Sequence, residues 1–227
     1  MNISKLSTLF LIIFSTTIFS TEIDPFQEIN KKTHNFNIVL DEHLATPVAR
    51  IYKKVTPDLV EKSITNFTHN IEDLSIAINN ILQGKINNGV SDLLRFTINS
   101  SLGVLGFFDV ASNLGFEKHD EDFGQTLATC AGPYIVLPGL GPSNLRDTLS
   151  MIPDAFLTPL YVIDHDRTSY SLTAIDIVET RARYLGLESV VIGDDYLFYR
   201  DAYLQSREFD ILDGEVSEEF DEFDDFD

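Results

Sequence analysis

Tryptophan is absent from these 227 residues, cysteine occurs once, and only 16 lysines and arginines face 36 aspartates and glutamates. Each shortage excludes a class of function. With Cys130 alone no intramolecular disulfide can form, and a lone cysteine most often packs as a small apolar group. The formal net charge of −20 repels polyanions, so no nucleic-acid partner is expected. His34, His43, His69, His119 and His165 include no pair three or four residues apart, which removes the helical zinc motif. "EKHDED" at 117–122 and "DHD" at 164–166 lack the ligand spacing of a calcium loop and read as solvated acidic loops. No metal and no cofactor is expected.

Long apolar runs are also few. At the N-terminus Lys5 precedes an apolar stretch from Leu6 to Phe14, and small polar residues follow near Ser20 and Thr21. That order reads as a secretory signal over 1–20, far short of the roughly 20 apolar residues that span a bilayer. The other reading is an uncleaved anchor. At the opposite end, 11 acids and no base fall between Glu208 and Asp227. The tail 215–227 spaces Phe220, Phe223 and Phe226 three apart among those acids. It reads as disordered, because such a composition cannot offset its ordering entropy, or else as a docking peptide that orders on a partner.

What remains, 21–214, reads as one domain with helical periodicity throughout. Asp24, Pro25 and Gln27 form a helix-start pattern before Phe26, Ile29, Phe36, Leu40 and Leu44. Thr56-Pro57-Asp58 starts a second helix that runs to Gly84, and Ile86, Val90, Leu93, Leu94 and Ile98 mark a third. "SLGVLGFFDVASNLGF" at 101–116 is nearly continuous apolar surface. Gly103 and Gly106 would let this helix approach a neighbour or lipid closely. "NLRDTLSMI" and "DAFLTPLYVI" read as short helices broken at Pro153, with two clear helices after them. Alternating β-branched strands are scarce, so the fold class is all-α.

"GPYIVLPGLGPSNLRD" at 132–147 is the most distinctive stretch. It carries no Lys-Ser/Thr after its glycines, so it is no phosphate loop. Leu145 stands where a nucleophile elbow needs its second glycine, and Ser143 fits better as a helix cap. No catalytic constellation emerges.

The run "DFGQTLATCAGPYIVLPGLGPSNLRD" at 122–147 resembles the signature block of the VacJ/MlaA family of outer-membrane lipid-transport proteins. Further matches are "DPF" and "NFNIVLD" (24–26, 35–41), "PVA" (47–49), "NF" and "LQG" (66–67, 82–84) and "GFFDVA" (106–111). "RF" and "N" (95–96, 99), "ETRA" (179–182) and "RDAYLQ" (200–205) complete the set. The resemblance implies a Gram-negative, mostly helical protein forming a single ring-like domain of amphipathic helices around a lipid channel. Such a protein sits in the inner leaflet of the outer membrane, on its periplasmic face, and is not an enzyme. It implies removal of mislocalised phospholipid from the outer leaflet, delivery to a soluble periplasmic carrier, and a trimeric porin as partner. The alternatives are a scaffold that only docks on porins and a lipid hydrolase using Ser143.

On this resemblance the lipid-path candidates are Asn35, Phe36, Asn37, Gly132, Pro133, Tyr134, Pro138, Gly141, Pro142, Ser143 and Arg146. Arg146 would meet a lipid phosphate, or else form a structural ion pair with an acid such as Asp147. Two departures from the family pattern stand out. "IFSTEIDP" has no lipobox cysteine, so acylation at the signal is not expected, and "ATCAG" replaces a longer glycine-rich stretch.

Deletion of residues 215–227 should leave the thermal midpoint nearly unchanged, because few apolar groups there can join a core. A large loss of stability in calorimetry would show that Phe220, Phe223 or Phe226 packs on the body.

Overall fold

The residue that sets the arrangement of the first half is Gly89, where an added Cβ would lie 2.6 Å from Ile81 Cγ1 and 2.8 Å from the Ala77 carbonyl. Only glycine permits that approach. It joins α3 (Asp58–Leu82) to α4 (Ile86–Ser101), the most extensive helix pair in the molecule. The computed structural model of the protein describes residues 24–127, 131–157 and 166–214. The expected signal at 1–20, Cys130, His165 and the tail 215–227 lie outside the described residues.

Helix α1 (Gln27–Leu40) passes through a π-helical turn at Asp41–Ala45 into α2 (Thr46–Val55). After α3 and α4 come two short helices, α5 (Val110–Asn113) and α6 (Phe123–Leu127). A hairpin of β1 (Tyr134–Leu137) and β2 (Gly141–Asn144) leads into α7 (Leu145–Leu157). Helices α8 (Asp166–Arg183) and α9 (Asp195–Ile211) close the chain, with a 3₁₀ turn at Leu187–Val190 between them. The mostly helical class expected from the sequence holds. Among the described residues no helix is long and apolar enough to cross a membrane.

Several local expectations need correction. Asp24 does not cap α1. Its carboxylate accepts from Asn30 Nδ2 at 2.8 Å and from the Tyr196 hydroxyl, and the cap position falls on Phe26 without a side-chain bond. Ser143 does not cap α7 either. It lies in β2 with its Oγ 2.9 Å from Thr148 Oγ1, and Asn144 Oδ1 receives the Asp147 amide at 2.8 Å. Pro153 sits inside α7 rather than between two helices. The stretch 101–116 is not a helix. It forms a looped turn with positive φ at Val104, Leu105 and Gly106 before the single turn of α5. The start at Pro57 and the stop at Gly84, with φ +83°, are as the sequence indicates.

A two-stranded hairpin is the only sheet among the described residues, and α1 explains it. Strands β1 and β2 pair antiparallel, Tyr134 opposite Asn144 and Leu137 opposite Gly141. The free edge of β1 is taken up by two asparagines seven residues apart, hence on one face of α1. Asn30 donates to the Tyr134 carbonyl at 3.0 Å and accepts from the Val136 amide at 2.9 Å. Asn37 donates to the Leu137 carbonyl at 2.8 Å and accepts from the Gly139 amide at 2.7 Å. A carboxamide carries the same donor and acceptor as a peptide group, so each asparagine substitutes for a rung of a third strand.

The interior is polar. Asn70, Asp73, Asn79 and Asn80 on α3 and Asp92, Arg95 and Asn99 on α4 are all buried. Arg95, 2% exposed, lies 3.4 Å from Asp73 Oδ2 and donates to the Phe116 carbonyl at 2.6 Å and Ser112 Oγ at 3.0 Å. Asp92 accepts from Asn80 Nδ2 at 2.9 Å and sits 2.8 Å from His119 Nδ1. Meanwhile Ile81, Leu82, Ile86, Val90 and Leu94 on the same two helices are exposed. Their amphipathic faces are turned with the polar side inward, opposite to a globular helix.

Asn30→Ala strands two strand-edge groups and should cost about 2 kcal/mol, whereas Asn37→Ala, at a half-exposed position, should cost about 1 kcal/mol. Chemical denaturation of the two variants checks this ranking. Equal and negligible losses would mean that the hairpin does not depend on α1.

Candidate functional site: two cavities meeting at Tyr184

Tyr184, one residue past α8, borders both of the cavities described here. The first, about 710 Å³, lies between the hairpin and the α8–α9 connection. One wall is apolar, formed by Leu187, Val190, Val191, Phe198 and Tyr199, and the opposite wall is α1 with His34, Asn37 and Ile38. At its rim Arg181 grips Asp41 of the π turn with two bonds, 2.6 Å from Nε to Oδ1 and 2.9 Å from Nη2 to Oδ2. The paired guanidinium holds the Asp41 carboxyl below the usual range, against the opposing effect of burial. His34 Nε2 lies 3.4 Å from Asp195 Oδ2 without hydrogen-bond alignment, and its ring packs edge-on to Tyr196.

The second cavity, about 680 Å³, is lined mainly by polar groups: His69, Glu72 and Ser75 of α3, the 118–122 loop, Asp154 of α7, and Thr180 and Arg183 of α8. Lys118 Nζ is 3.1 Å from Asp73 Oδ1, and Arg183 Nη1 is 3.2 Å from His69 Nε2. Burial first, then the Lys118 and Arg183 cations, push the His69 imidazole down to about 4, so it is neutral at pH 7. Burial raises the Asp154 carboxyl despite the bond it accepts from the Phe123 amide at 3.0 Å.

Of the residues singled out from the sequence, Asn37, Gly141 and Pro142 line the first cavity. Asn35 and Phe36 are exposed on α1, and Pro138 is exposed at the hairpin turn. Gly132 (φ +73°) and Pro133 form the hairpin base, where the Pro133 carbonyl accepts from the Leu145 amide at 3.2 Å. Tyr134 is buried against Tyr196 and Tyr203. Ser143 is buried, its Oγ lying 2.9 Å from Thr148 Oγ1 and donating to the Asn144 carbonyl at 3.3 Å. Arg146 is buried, its Nε donating to Asp147 Oδ1 at 2.8 Å.

Asp147 is the hub that sequence reasoning passed over except as a pairing option for Arg146. Besides Arg146 it accepts from Asn144 Nδ2 at 2.8 Å, the Tyr203 hydroxyl at 2.7 Å and Arg207 Nε at 2.8 Å. Burial works against its charge, yet these donors outweigh it and hold the carboxyl below its ordinary value. Arg207 continues to Asp122 at 2.8 Å, tying α9 to the start of α6. Asn30, His34 and the Asp41–Arg181 pair were also missed as contacts. The available signal was the set of separated blocks: "NFNIVLD" ends in Asp41 and "ETRA" contains Arg181, while "RDAYLQ" contains Tyr203.

The sequence profile of the MlaA lipoprotein family matches residues 22–210. The Escherichia coli K12 intermembrane phospholipid transport system lipoprotein MlaA is 32% identical over 202 residues, covering 85% of this chain and 80% of that protein. An uncharacterised Rickettsia conorii protein is 35% identical over 192 residues, covering 82% of this chain and 76% of its own length. A solved structure, described as the structural basis for maintenance of bacterial outer membrane lipid asymmetry, superposes with a TM-score of 0.75. It is 31% identical and covers 84% of this chain and all of its own. A profile match across nearly the whole folded region, together with these identities and that superposition, makes the chain a member of the MlaA lipoprotein family.

Proposed function

We propose that this protein is an outer-membrane-associated component that removes mislocalised phospholipid from the outer leaflet and passes it to a soluble periplasmic carrier. The observation that carries this reading is the inverted distribution of polarity. Asp73, Asp92 and Arg95 are buried while dozens of large apolar side chains face outward. In water such a perimeter would aggregate, whereas in a leaflet it is solvated by acyl chains. The polar interior then gives a charged head group a route that the hydrocarbon denies it. In this proposal a ring of amphipathic helices surrounds a lipid channel, and a porin trimer shelters it in the membrane. The relatives' lipid-transport names and the lipid-asymmetry structure support the reading.

The two cavities divide the work. The apolar wall of the first, with Asn37, Gly141 and Pro142 at its edge, suits acyl chains. The second, with Lys118 and Arg183 facing several carboxylates, suits a head group. Asn35, Phe36, Gly132, Pro133, Tyr134, Pro138, Ser143 and Arg146 shape or support the hairpin side of the route. No covalent step is part of the reading.

Ser75→Phe would place a ring in the second cavity, which Ser75 lines. It should change the unfolding free energy by no more than about 1 kcal/mol and fail to restore asymmetry in a strain lacking its own family member. The readout is phospholipid in the outer leaflet. Full restoration by a folded Ser75→Phe protein would exclude the second cavity from the route.

Arg146→Ala and Arg146→Glu should both lower stability, by about 2 kcal/mol or more, because each removes one donor from the Asp147 hub. If both variants fold normally and only the glutamate blocks lipid removal, Arg146 contacts lipid rather than framework.

A further inference from the structure

We infer that the turn Leu102–Phe108 is a preformed wedge that enters the acyl-chain region of a lipid monolayer and sets the depth at which the protein sits. The inference rests on the membrane-associated reading above and goes beyond it by naming the inserted element. Leu102, Val104, Leu105, Phe107 and Phe108 are between 38% and 68% exposed, and no charged residue occurs between Arg95 and Asp109.

An apolar turn still carries peptide groups, and each unsatisfied one costs several kcal/mol in hydrocarbon. Here six of the seven amides from Leu102 to Phe108 are satisfied internally. Leu102 and Gly103 donate to the Ile98 carbonyl at 2.7 and 3.2 Å, Leu105 to Ser100 at 3.0 Å, and Gly106 to Asn99 at 2.8 Å. Phe107 donates to Val104 at 3.3 Å and Phe108 to Gly103 at 2.9 Å, while Asn66 Nδ2 caps the Phe107 carbonyl at 3.1 Å. A solvent-facing loop has no need of such closure, since water would serve.

Conformation points the same way. Val104 and Leu105 take φ of 54° and 59°, a left-handed pair that glycine or asparagine would adopt at far lower cost. Apolar residues are kept there although their side chains are largely exposed. A strained position that holds a large apolar residue outward serves something outside the molecule.

The wedge stands on a rigid base. A Cβ at Gly103 would lie 2.1 Å from the Phe108 carbonyl, and one at Gly106 would lie 2.6 Å from Asn70 Nδ2. Asp109 at the foot accepts from the Ser112 amide and Asn99 Nδ2, both at 3.1 Å, and Phe107 stacks on Phe67 at 5.3 Å. The exposed stripe Ile86, Val90 and Leu94 steps along α4 by four residues in the direction of the turn. Lipid is the occupant this chemistry selects. A projecting crown without polar side chains offers none of the hydrogen bonds that orient a protein partner across a standard interface.

Because the chain contains no tryptophan, Leu105→Trp gives the full-length protein a single indole reporter. Phe108→Trp serves as a second reporter should the first fail to fold. Each variant is mixed with phosphatidylcholine vesicles brominated near the acyl midpoint, and vesicle flotation is run alongside. The expected result is blue-shifted emission that loses about half its intensity to the bromines, as for a group buried below the head groups. If the protein floats with vesicles but the indole stays water-like and unquenched, the wedge assignment is overturned and the membrane reading stands. If the protein does not float at all, both fall. Blue-shifted emission indifferent to bromine, together with a dimer on sedimentation, would overturn the inference in favour of a second copy as the occupant.

Discussion

The structure depends on the burial of Arg95 between α3 and α4. Taking a guanidinium out of water costs several kcal/mol, and only a dense set of partners offsets that cost. Asp73, Asp109, Ser112 and the Phe116 carbonyl supply them, drawing together α3, α4, α5 and the loop beyond. Asp92 with Asn80 and His119 repeats the device three residues earlier on α4. A polar seam of this kind adds little net stability against an apolar alternative, but it fixes register, since a slipped helix would leave a buried charge unpaired.

The same seam accounts for the rest of the architecture. Once the polar faces of α3 and α4 turn inward, their apolar faces must look outward. The second half is likewise held by polar hubs more than by an oily core. Asp147 gathers α7, β2 and α9, and the Asp41–Arg181 pair joins the π turn to α8. The buried apolar cluster is small, centred on Tyr134, Val136 and Tyr196. A fold built this way keeps its apolar area for lipid and its charges for the interior, which suits a chain that handles molecules with one charged and one greasy end.

Much of this was legible in the sequence, and the gaps have physical causes. Helical periodicity located most of the long helices, and Pro57 and Gly84 marked ends because their backbone chemistry is local. The looped turn at 101–108 was read as helix because its composition is continuous apolar. The bend is held by local backbone bonds back to Ser100 and Asn99, by the close approach of Gly106 to Asn70, and by the Asn66 bond to the Phe107 carbonyl, and the last two are long-range contacts that no local pattern encodes. Asp24 and Ser143 looked like caps, yet Asp24 accepts from Tyr196, far along the chain, and Ser143 pairs with Thr148 inside α7. The hairpin itself was hidden because its edge is completed by Asn30 and Asn37, about a hundred residues away. Of the residues lining the first cavity, Asn37, Gly141 and Pro142 stand in the family blocks, whereas the second cavity was missed, since its charges look like ordinary solvated acids until α3 and α8 face each other.

The most direct test of an inverted molecule is collision accessibility of spin labels in vesicles. One nitroxide is placed at Leu94 on the outer apolar face and one at Thr180 in the second cavity, with Cys130 replaced by serine. The account predicts that the Leu94 label is relaxed mainly by lipid-soluble oxygen and the Thr180 label mainly by a water-soluble nickel chelate. Two labels equally open to the nickel chelate would contradict it.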